Sequence, residues 1–232
     1  MFDAAPTDPI GVLATTRTIR RYIDEPIPEA DLAKILWAAS RAPSGSNRQP
    51  FRFVVLRDSP IAQRGKAILG EAFRRGWASK RSTDGYTAGS GGDANSPKSR
   101  QARAMEQYVD NFEKTPVVVL VCLNRYRDPS PYEGASVYPA CQNLLVAARS
   151  LGYGGALTMW HLSVEDELRE LLSIGPDVAL SACITLGRPQ GGHGPVRRRP
   201  LSEIVYEDHW GSPADWATDP PGTAFTSAGP PR

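Results

Sequence analysis

A short polar loop between two prolines holds the side chains best suited to binding a flat polar ligand. It lies in the sequence RAPSGSNRQPFRFVVLR, which starts at Arg41 and ends in an apolar strand pattern. Hydroxyl and amide groups donate and accept hydrogen bonds, and a glycine lets a ligand approach the backbone closely. The prolines restrict the loop, and the strand attaches it to a sheet. The candidate binding residues of this amide loop (residues 43–49) are Pro43, Ser44, Gly45, Asn47 and Gln49.

Two arginine clusters concentrate positive charge elsewhere in the chain. The sequence RTIRR occupies residues 17–21, which we call the arginine segment, and RRR occupies residues 197–199. The chain as a whole is nearly neutral, with 27 Lys and Arg against 25 Asp and Glu. Composition therefore indicates no nucleic acid or other strongly charged partner, and the charge that matters is local.

The side-chain combinations that usually carry catalysis are missing from the sequence. The three histidines, His161, His193 and His209, show no spacing typical of metal ligands, and neither HExxH nor GxSxG occurs. The pair Gly91 and Gly92 is not followed by Lys-Ser/Thr, so it forms no phosphate-binding loop. We predict no metal site and expect a bound cofactor to carry the chemistry.

Cysteine placement and hydropathy indicate a cytoplasmic protein. Cys122, Cys141 and Cys183 lie in apolar segments without CxxC spacing, and we interpret them as reduced core residues. No apolar run reaches the roughly 18 residues of a membrane span. The start, MFDAAPTDPI, lacks the basic and apolar regions of a signal peptide.

Helical and strand patterns alternate along the chain and predict an α+β fold, with a sheet between helices in one domain over residues 1–210. The tail, residues 211–232, is rich in Pro, Gly and Ala and is expected to be extended or partly disordered. The predicted strands are Phe51–Leu56, the apolar run TPVVVLVCL, the stretch GYGGALTMW and residues 179–186. The predicted helices cover residues 11–20, 29–40, 60–77, 101–114, 135–151 and 164–173.

Residues 79–100 differ sharply in composition from their surroundings. Gly, Ser, Asp and Lys dominate, and Tyr86 is the large apolar side chain. Such a stretch buries too little surface to offset its ordering entropy, so we predict a mobile insertion. It is either a plain surface loop or a lid over a site.

The segment RTIRRYIDEPIPEADLAKILWAASRAPSGSNRQPFRFVVL, which starts at Arg17, resembles the FMN-dependent nitroreductase family. A basic cluster, an amphipathic helix and an A-P-S-x-x-N-x-Q-P loop before a strand follow one another at that family's spacing. The helix VYPACQNLLVAARSLGYGGALTMW and the sequence RRRPLSEIV also match. Departures from the pattern include Thr16, where the first basic residue usually stands, and Met159 and Trp160, where some members carry an acidic residue.

The resemblance implies a central mixed sheet surrounded by helices, in an intertwined homodimer that binds FMN at the subunit interface. Arg17, Thr18 and Arg20 would hold the phosphate, with Arg198 and then Arg199 as further candidates. The amide loop would reach the flavin from the other subunit, and Leu157 and Thr158 would pass beside its ring.

As a member of that family the protein would transfer hydride from NADH or NADPH to small acceptors such as nitroaromatics or quinones, in a ping-pong reaction. The aromatic residues that could stack on an acceptor are Trp77, Tyr86, Tyr108, Phe112 and Trp160. Three alternatives stay open. They are a reductive dehalogenase, a flavin-consuming enzyme of cofactor biosynthesis on the same scaffold, and a non-catalytic flavin-binding protein.

Overall fold

Four antiparallel strands form the sheet around which the chain folds. The computed structural model describes residues 8–86 and 91–225. The strands are β1 (Phe51–Leu56), β2 (Val117–Asn124), β3 (Gly154–Thr158) and β4 (Val178–Gly187). They lie in the order β1-β2-β4-β3, and each neighbouring pair is antiparallel. A parallel component enters at the outer edge of β3, where Thr18 forms a single bridge with Gly155.

Helices cover both faces of this sheet, which confirms the predicted α+β architecture. One face packs against α2 and α5, and the other against α3, α4 and α6. None of the helices that the structure describes is long and apolar enough to cross a membrane. The helices are α1 (Pro9–Thr15), α2 (Glu29–Ala39), α3 (Pro60–Thr83), α4 (Pro97–Asp110), α5 (Tyr138–Ser150) and α6 (Glu165–Leu172).

Strand β2 divides the core, because its side chains alternate between the two faces. Val119 and Val121 point into the core with α2 and α5, whereas Val118 and Leu120 point into the core with α3 and α4. The strand is buried on both sides, as its continuous apolar sequence predicts. The three cysteines are free and buried, and burial raises the pKa of the Cys122 and Cys141 thiols to about 11.

The first helix is shorter than predicted. It ends at Thr15, whereas the sequence pattern suggested a helix from Gly11 to Arg20. The hydroxyls of Thr15 and Thr16 bond back to the carbonyls of Gly11 and Val12, at 2.7 Å each. The chain then leaves the helix and runs along β3, so the arginine segment is extended.

The boundaries drawn for the 79–100 insertion cut into two helices. Residues 79–83 belong to α3, and residues 97–100 form the first turn of α4. Ser96 caps α4 by accepting a hydrogen bond from the Ser99 N–H at 3.0 Å, and the Tyr86 ring packs edge-on against Trp77. The mobility of the intervening part stays a prediction, and residues 87–90 lie outside the described residues.

The C-terminal tail has irregular structure up to Phe225. Ala214 and Ala217 are buried, and Phe225 forms a parallel bridge with Arg198. Residues 1–7 and the part of the tail after residue 225 lie outside the described residues.

Candidate functional site

Backbone contacts hold the arginine segment between two parts of the sheet. The Ile19 N–H donates to the Gly155 carbonyl at 2.8 Å, and the Gln190 N–H donates to the Arg21 carbonyl at 2.9 Å. A Cβ on Gly154 would lie 2.6 Å from the Ile19 Cγ1, so glycine is what allows this close approach. The segment is therefore positioned by β3 on one side and by the chain after β4 on the other.

The arginine segment lines a small, positively charged cavity of about 170 Å3. Arg17, Thr18 and Arg20 line it together, and no carboxylate occurs among its described lining residues. The Arg17 Nη1 donates to the carbonyl of His193 at 3.0 Å, which orients the guanidinium. Guanidinium and hydroxyl donors without a carboxylate partner suit an anion such as a phosphate.

A second cavity, of about 350 Å3, adjoins the first through Arg20, Arg21 and Gln190. Behind it the Thr185 hydroxyl lies 2.8 Å from the Tyr22 hydroxyl and 3.1 Å from that of Tyr108. Burial raises the pKa of both phenols, so they stay neutral and act as hydrogen-bonding groups.

Sequence reasoning missed the polar side chains that helix α4 adds to this second cavity. Gln107 lines it from α4, Asn111 from the C-cap position of that helix, and Lys114 from the 3₁₀ turn that follows. Gln107 and Asn111 are four residues apart and therefore share one helical face. The four-residue spacing of Gln107 and Asn111, beside Tyr108, is the sequence signal that could have identified these two side chains.

A buried imidazole lies behind the phosphate-sized cavity. His193 is 4% exposed, and neither ring nitrogen has a hydrogen-bond partner among the described residues. Burial, and next the charge of Arg149, lower the pKa of His193 to about 4. The ring is therefore neutral at neutral pH, and it anchors the segment whose carbonyl holds Arg17.

The amide loop presents its polar side chains to solvent from a strained turn. Ser46, Asn47 and Gln49 have φ values of 51°, 50° and 50°, so three non-glycine residues are left-handed. The Ser44 hydroxyl accepts from the Gln49 N–H at 2.8 Å and closes the turn. Strain of this kind persists where the structure holds groups in place for binding.

The amide loop and the arginine segment lie at opposite ends of the sheet. Phe51, just after the loop, is in register with Leu123 and through it with Ala179 on β4. Gly155, beside the arginine segment, pairs with Leu186 on the same strand. Seven residues of extended chain span about 24 Å, so one chain does not bring the two motifs into one pocket.

Comparison with known proteins identifies the family. The model of the nitroreductase family matches residues 13–188. The chain belongs to the nitroreductase family. A protein of Archaeoglobus fulgidus named as an NADH dehydrogenase/NAD(P)H nitroreductase is 28% identical over 185 residues, which are 78% of this chain and 85% of that protein.

Two further similarities extend across most of the chain. The structure of a nitroreductase of Desulfovibrio desulfuricans in complex with FMN superposes with a TM-score of 0.64 and 26% identity, covering 88% of this chain and 98% of that one. Iodotyrosine deiodinase 1 of Rattus norvegicus is 25% identical over 203 residues, 84% of this chain and 67% of that protein.

Two of the residues predicted from the nitroreductase resemblance lie on the edge strand next to the arginine segment. Leu157 and Thr158 belong to β3, and the Leu157 side chain is 37% exposed. The Gly155 carbonyl faces Ile19 at the outer edge of β3. Because orientation alternates along a strand, the Leu157 N–H faces that same edge.

The C-terminal arginines approach the same side of the molecule without reaching the cavity. The Val196 N–H donates to the Ala14 carbonyl at 2.8 Å, which brings the chain close to the arginine segment. Arg198 Nη1 donates to the Arg197 carbonyl, and Arg199 lies 3.4 Å from Glu203. Neither side chain is among the described lining residues of the cavity, and their role in phosphate binding stays a prediction.

Most of the aromatic side chains predicted to stack on an acceptor pack within the protein. Trp77, Tyr108 and Phe112 are buried in the core under α3 and α4, although Tyr108 also lines the larger cavity beside Gln107. Trp160 packs edge-on against buried Phe73 at 5.3 Å and borders a surface groove beside Gly76 and Met159. Burial of Trp77 and Phe112 leaves little ring surface for stacking, and the stacking role of these aromatic residues stays a prediction.

Proposed function

We propose that the protein is an FMN-dependent NAD(P)H oxidoreductase that reduces nitroaromatic or quinone-like acceptors. The observation that carries the proposal is the cavity lined by Arg17, Thr18 and Arg20, which offers cations and a hydroxyl without a carboxylate. Membership of the nitroreductase family and the FMN complex of the Desulfovibrio relative support the choice of cofactor.

The donor set fits the parts of FMN. Arg17 and Thr18 would hold the phosphate, since guanidinium and hydroxyl groups are its usual partners. Arg20, with Gln107 and Asn111 across the adjoining cavity, would face the polar edge of the ring system. The Leu157 N–H, at the free edge of β3, would donate to the flavin ring.

Catalysis would depend on positioning. When bound, FMN accepts a hydride from NAD(P)H and passes reducing equivalents to an acceptor. The chain's own residues bind the phosphate, orient the ring against β3 and exclude bulk water. Donor and acceptor would occupy the same place in turn, which is the ping-pong order.

A homodimer would complete the site. The amide loop lies about 24 Å along the sheet from the arginine segment, too far to serve the same ligand within one chain. In an isologous dimer each loop can lie against the cavity of the other protomer. Ser44, Asn47 and Gln49 would then supply hydrogen bonds from across the interface.

The similarity to iodotyrosine deiodinase supports reductive dehalogenation as a second candidate. The two activities share the cofactor and differ in the acceptor. Turnover of a nitroarene or quinone, with none of an iodinated phenol, favours the first. The reverse pattern favours dehalogenation.

Anaerobic stopped-flow reduction of the purified protein tests the proposal. We expect flavin absorbance near 450 nm to bleach with NADH or NADPH and to return on addition of a nitroarene or quinone. A protein that retains flavin but is never reduced by either nicotinamide would be a binding protein, and a protein that takes up no FMN would overturn the flavin assignment.

A further inference from the structure

A group of exposed arginines surrounds a tyrosine beside the amide loop. The guanidinium carbons of Arg48 and Arg127 lie 4.2 and 5.2 Å from the centroid of the Tyr126 ring. All three residues are exposed, and Tyr126 retains 55% of its accessible surface. We call Arg48, Tyr126 and Arg127 the Tyr126 patch.

Several bonds fix the Tyr126 patch to the amide loop. The Asn124 N–H donates to the Pro50 carbonyl at 2.8 Å, which joins the end of β2 to the end of the loop. The Gly45 N–H donates to the Ser136 hydroxyl at 3.1 Å. Within the chain from Asn124 to Ser136, the Arg125 guanidinium donates to both carboxylate oxygens of Glu133, at 2.9 and 3.1 Å. Loop and patch therefore form one unit.

The positive charge of the patch is not neutralised by an ion pair. Among the described residues neither Arg48 nor Arg127 lies within ion-pair distance of a carboxylate, and neither does neighbouring Arg52. Glu133 is engaged by Arg125, and its pKa is lowered chiefly by the hydrogen bond from that guanidinium and, more weakly, by the charge of Arg127. Asp128 is the acidic residue adjacent in sequence, so the patch with Arg52 keeps a net positive charge.

We propose that the Tyr126 patch recognises an anionic group, a carboxylate or a phosphate ester, on a small molecule that reacts at the site formed by the amide loop. The inference rests on the proposed function, since it names the chemistry of that reaction's donor or acceptor.

The geometry of the patch suits recognition of one anionic group better than non-specific attraction of negatively charged molecules. A guanidinium held over an aromatic ring loses less rotamer freedom on binding, and its N–H fork remains available to two oxygens at once. Carboxylates and phosphates accept that bidentate arrangement. Three arginines at one strand end form too small a surface for a nucleic acid, which needs a basic stripe along its backbone.

Steady-state kinetics of the purified protein with matched substrates tests the proposal. The variant is the double substitution Arg48→Gln and Arg127→Gln. The control is Arg64→Gln, which removes an exposed arginine near the start of α3, beyond the opposite end of β1. The acceptors are 4-nitrobenzoate and uncharged 4-nitrobenzamide, and the donors are NADH and NADPH.

We expect KM for at least one anionic substrate to rise roughly fivefold in the double variant, the scale of an exposed charge contact. That KM should also increase less steeply with added salt than it does in wild type, because salt has less attraction left to screen. A rise for 4-nitrobenzoate alone assigns the acceptor carboxylate. A rise for NADPH alone assigns its 2′-phosphate, and a rise for both nicotinamides assigns their diphosphate. Flavin content and kcat with 4-nitrobenzamide should stay within twofold, as in Arg64→Gln.

Unchanged KM for all three anionic substrates would overturn the inference, as would equal rises for 4-nitrobenzoate and 4-nitrobenzamide. If wild type oxidises neither NADH nor NADPH with any nitroarene or quinone, the proposed function fails instead. Calorimetric titration of wild type and double variant with NADH, NADPH and 4-nitrobenzoate then decides the anion site. Weaker binding to the double variant than to wild type supports the anion site. Equal binding to both proteins, or no binding to either, overturns it.

Discussion

The guanidinium of Arg17 donates to the backbone carbonyl of His193 at 3.0 Å, across a separation of 176 residues. This bond ties the arginine segment to the chain that leaves β4. The buried His193 ring anchors that chain between two glycines with positive φ, Gly191 at 114° and Gly194 at 61°. The position of the candidate phosphate-binding group thus depends on residues from both ends of the protein.

Replacing Arg20 by alanine should weaken FMN binding roughly tenfold while the fold stays intact. The substitution removes one cation from a cavity that contains no carboxylate among its described lining residues. Fluorescence titration of apoprotein with FMN measures the effect, and circular dichroism checks the fold. The matched control is Arg64→Ala on α3, for which we expect an unchanged dissociation constant. Equal affinity of Arg20→Ala and wild type would remove Arg20 from the site.

Mixing two defective variants should restore part of the FMN binding if the site is shared between protomers. Arg20→Ala damages the arginine segment, and Asn47→Ala damages the amide loop. In a randomly formed heterodimer one of the two sites has both residues intact, so about a quarter of all sites should recover. The variants are refolded together and titrated with FMN. If the mixture forms dimers in sedimentation experiments but recovers no FMN binding, the two residues serve a site within one protomer.

Stability should fall as the pH drops below about 6.5, in a way that depends on His193. The pKa of His193 is about 4 in the folded state and about 6.5 in the unfolded state. Between these two pH values the unfolded state binds more protons than the folded state, so the free energy of unfolding rises with pH. The full effect is about 3 kcal/mol. Urea denaturation between pH 4.5 and 7.5 measures it. His193→Gln should reduce the dependence, and the remainder is expected from buried His161, whose pKa burial also lowers.

Replacing Gly155 by alanine should destabilise the protein by about 1–3 kcal/mol, the usual cost of overpacking. The new methyl group would lie 2.6 Å from the Thr185 carbonyl and 2.8 Å from two leucine side chains. FMN affinity should fall as well, because the arginine segment rests on this residue. The control is Gly175→Ala, where nothing lies within 4 Å of the new Cβ. Thermal unfolding that shifts equally in both variants would contradict the prediction.

Local patterns in the sequence predicted much of the fold because they depend on neighbouring residues. Strand β1 runs from Phe51 to Leu56, as its apolar residues and preceding proline indicated. The first helix was misjudged because Thr15 and Thr16 end it by bonding back to its own carbonyls. Burial of Trp77, Tyr108 and Phe112 was not predicted, since a large ring in a sequence carries no sign of which core it fills.

The sequence by itself determined the kinds of groups available. These are two arginine clusters and the amide side chains of a constrained loop, without the usual catalytic motifs. It also carried the family pattern. Only the tertiary structure decided that Arg17, Thr18 and Arg20 share a cavity, that Gln107 and Asn111 adjoin it, and that the amide loop lies at the far end of the sheet. The reason is physical, because spacing along the chain reports local periodicity, whereas the distance between remote segments is set by strand register and core packing.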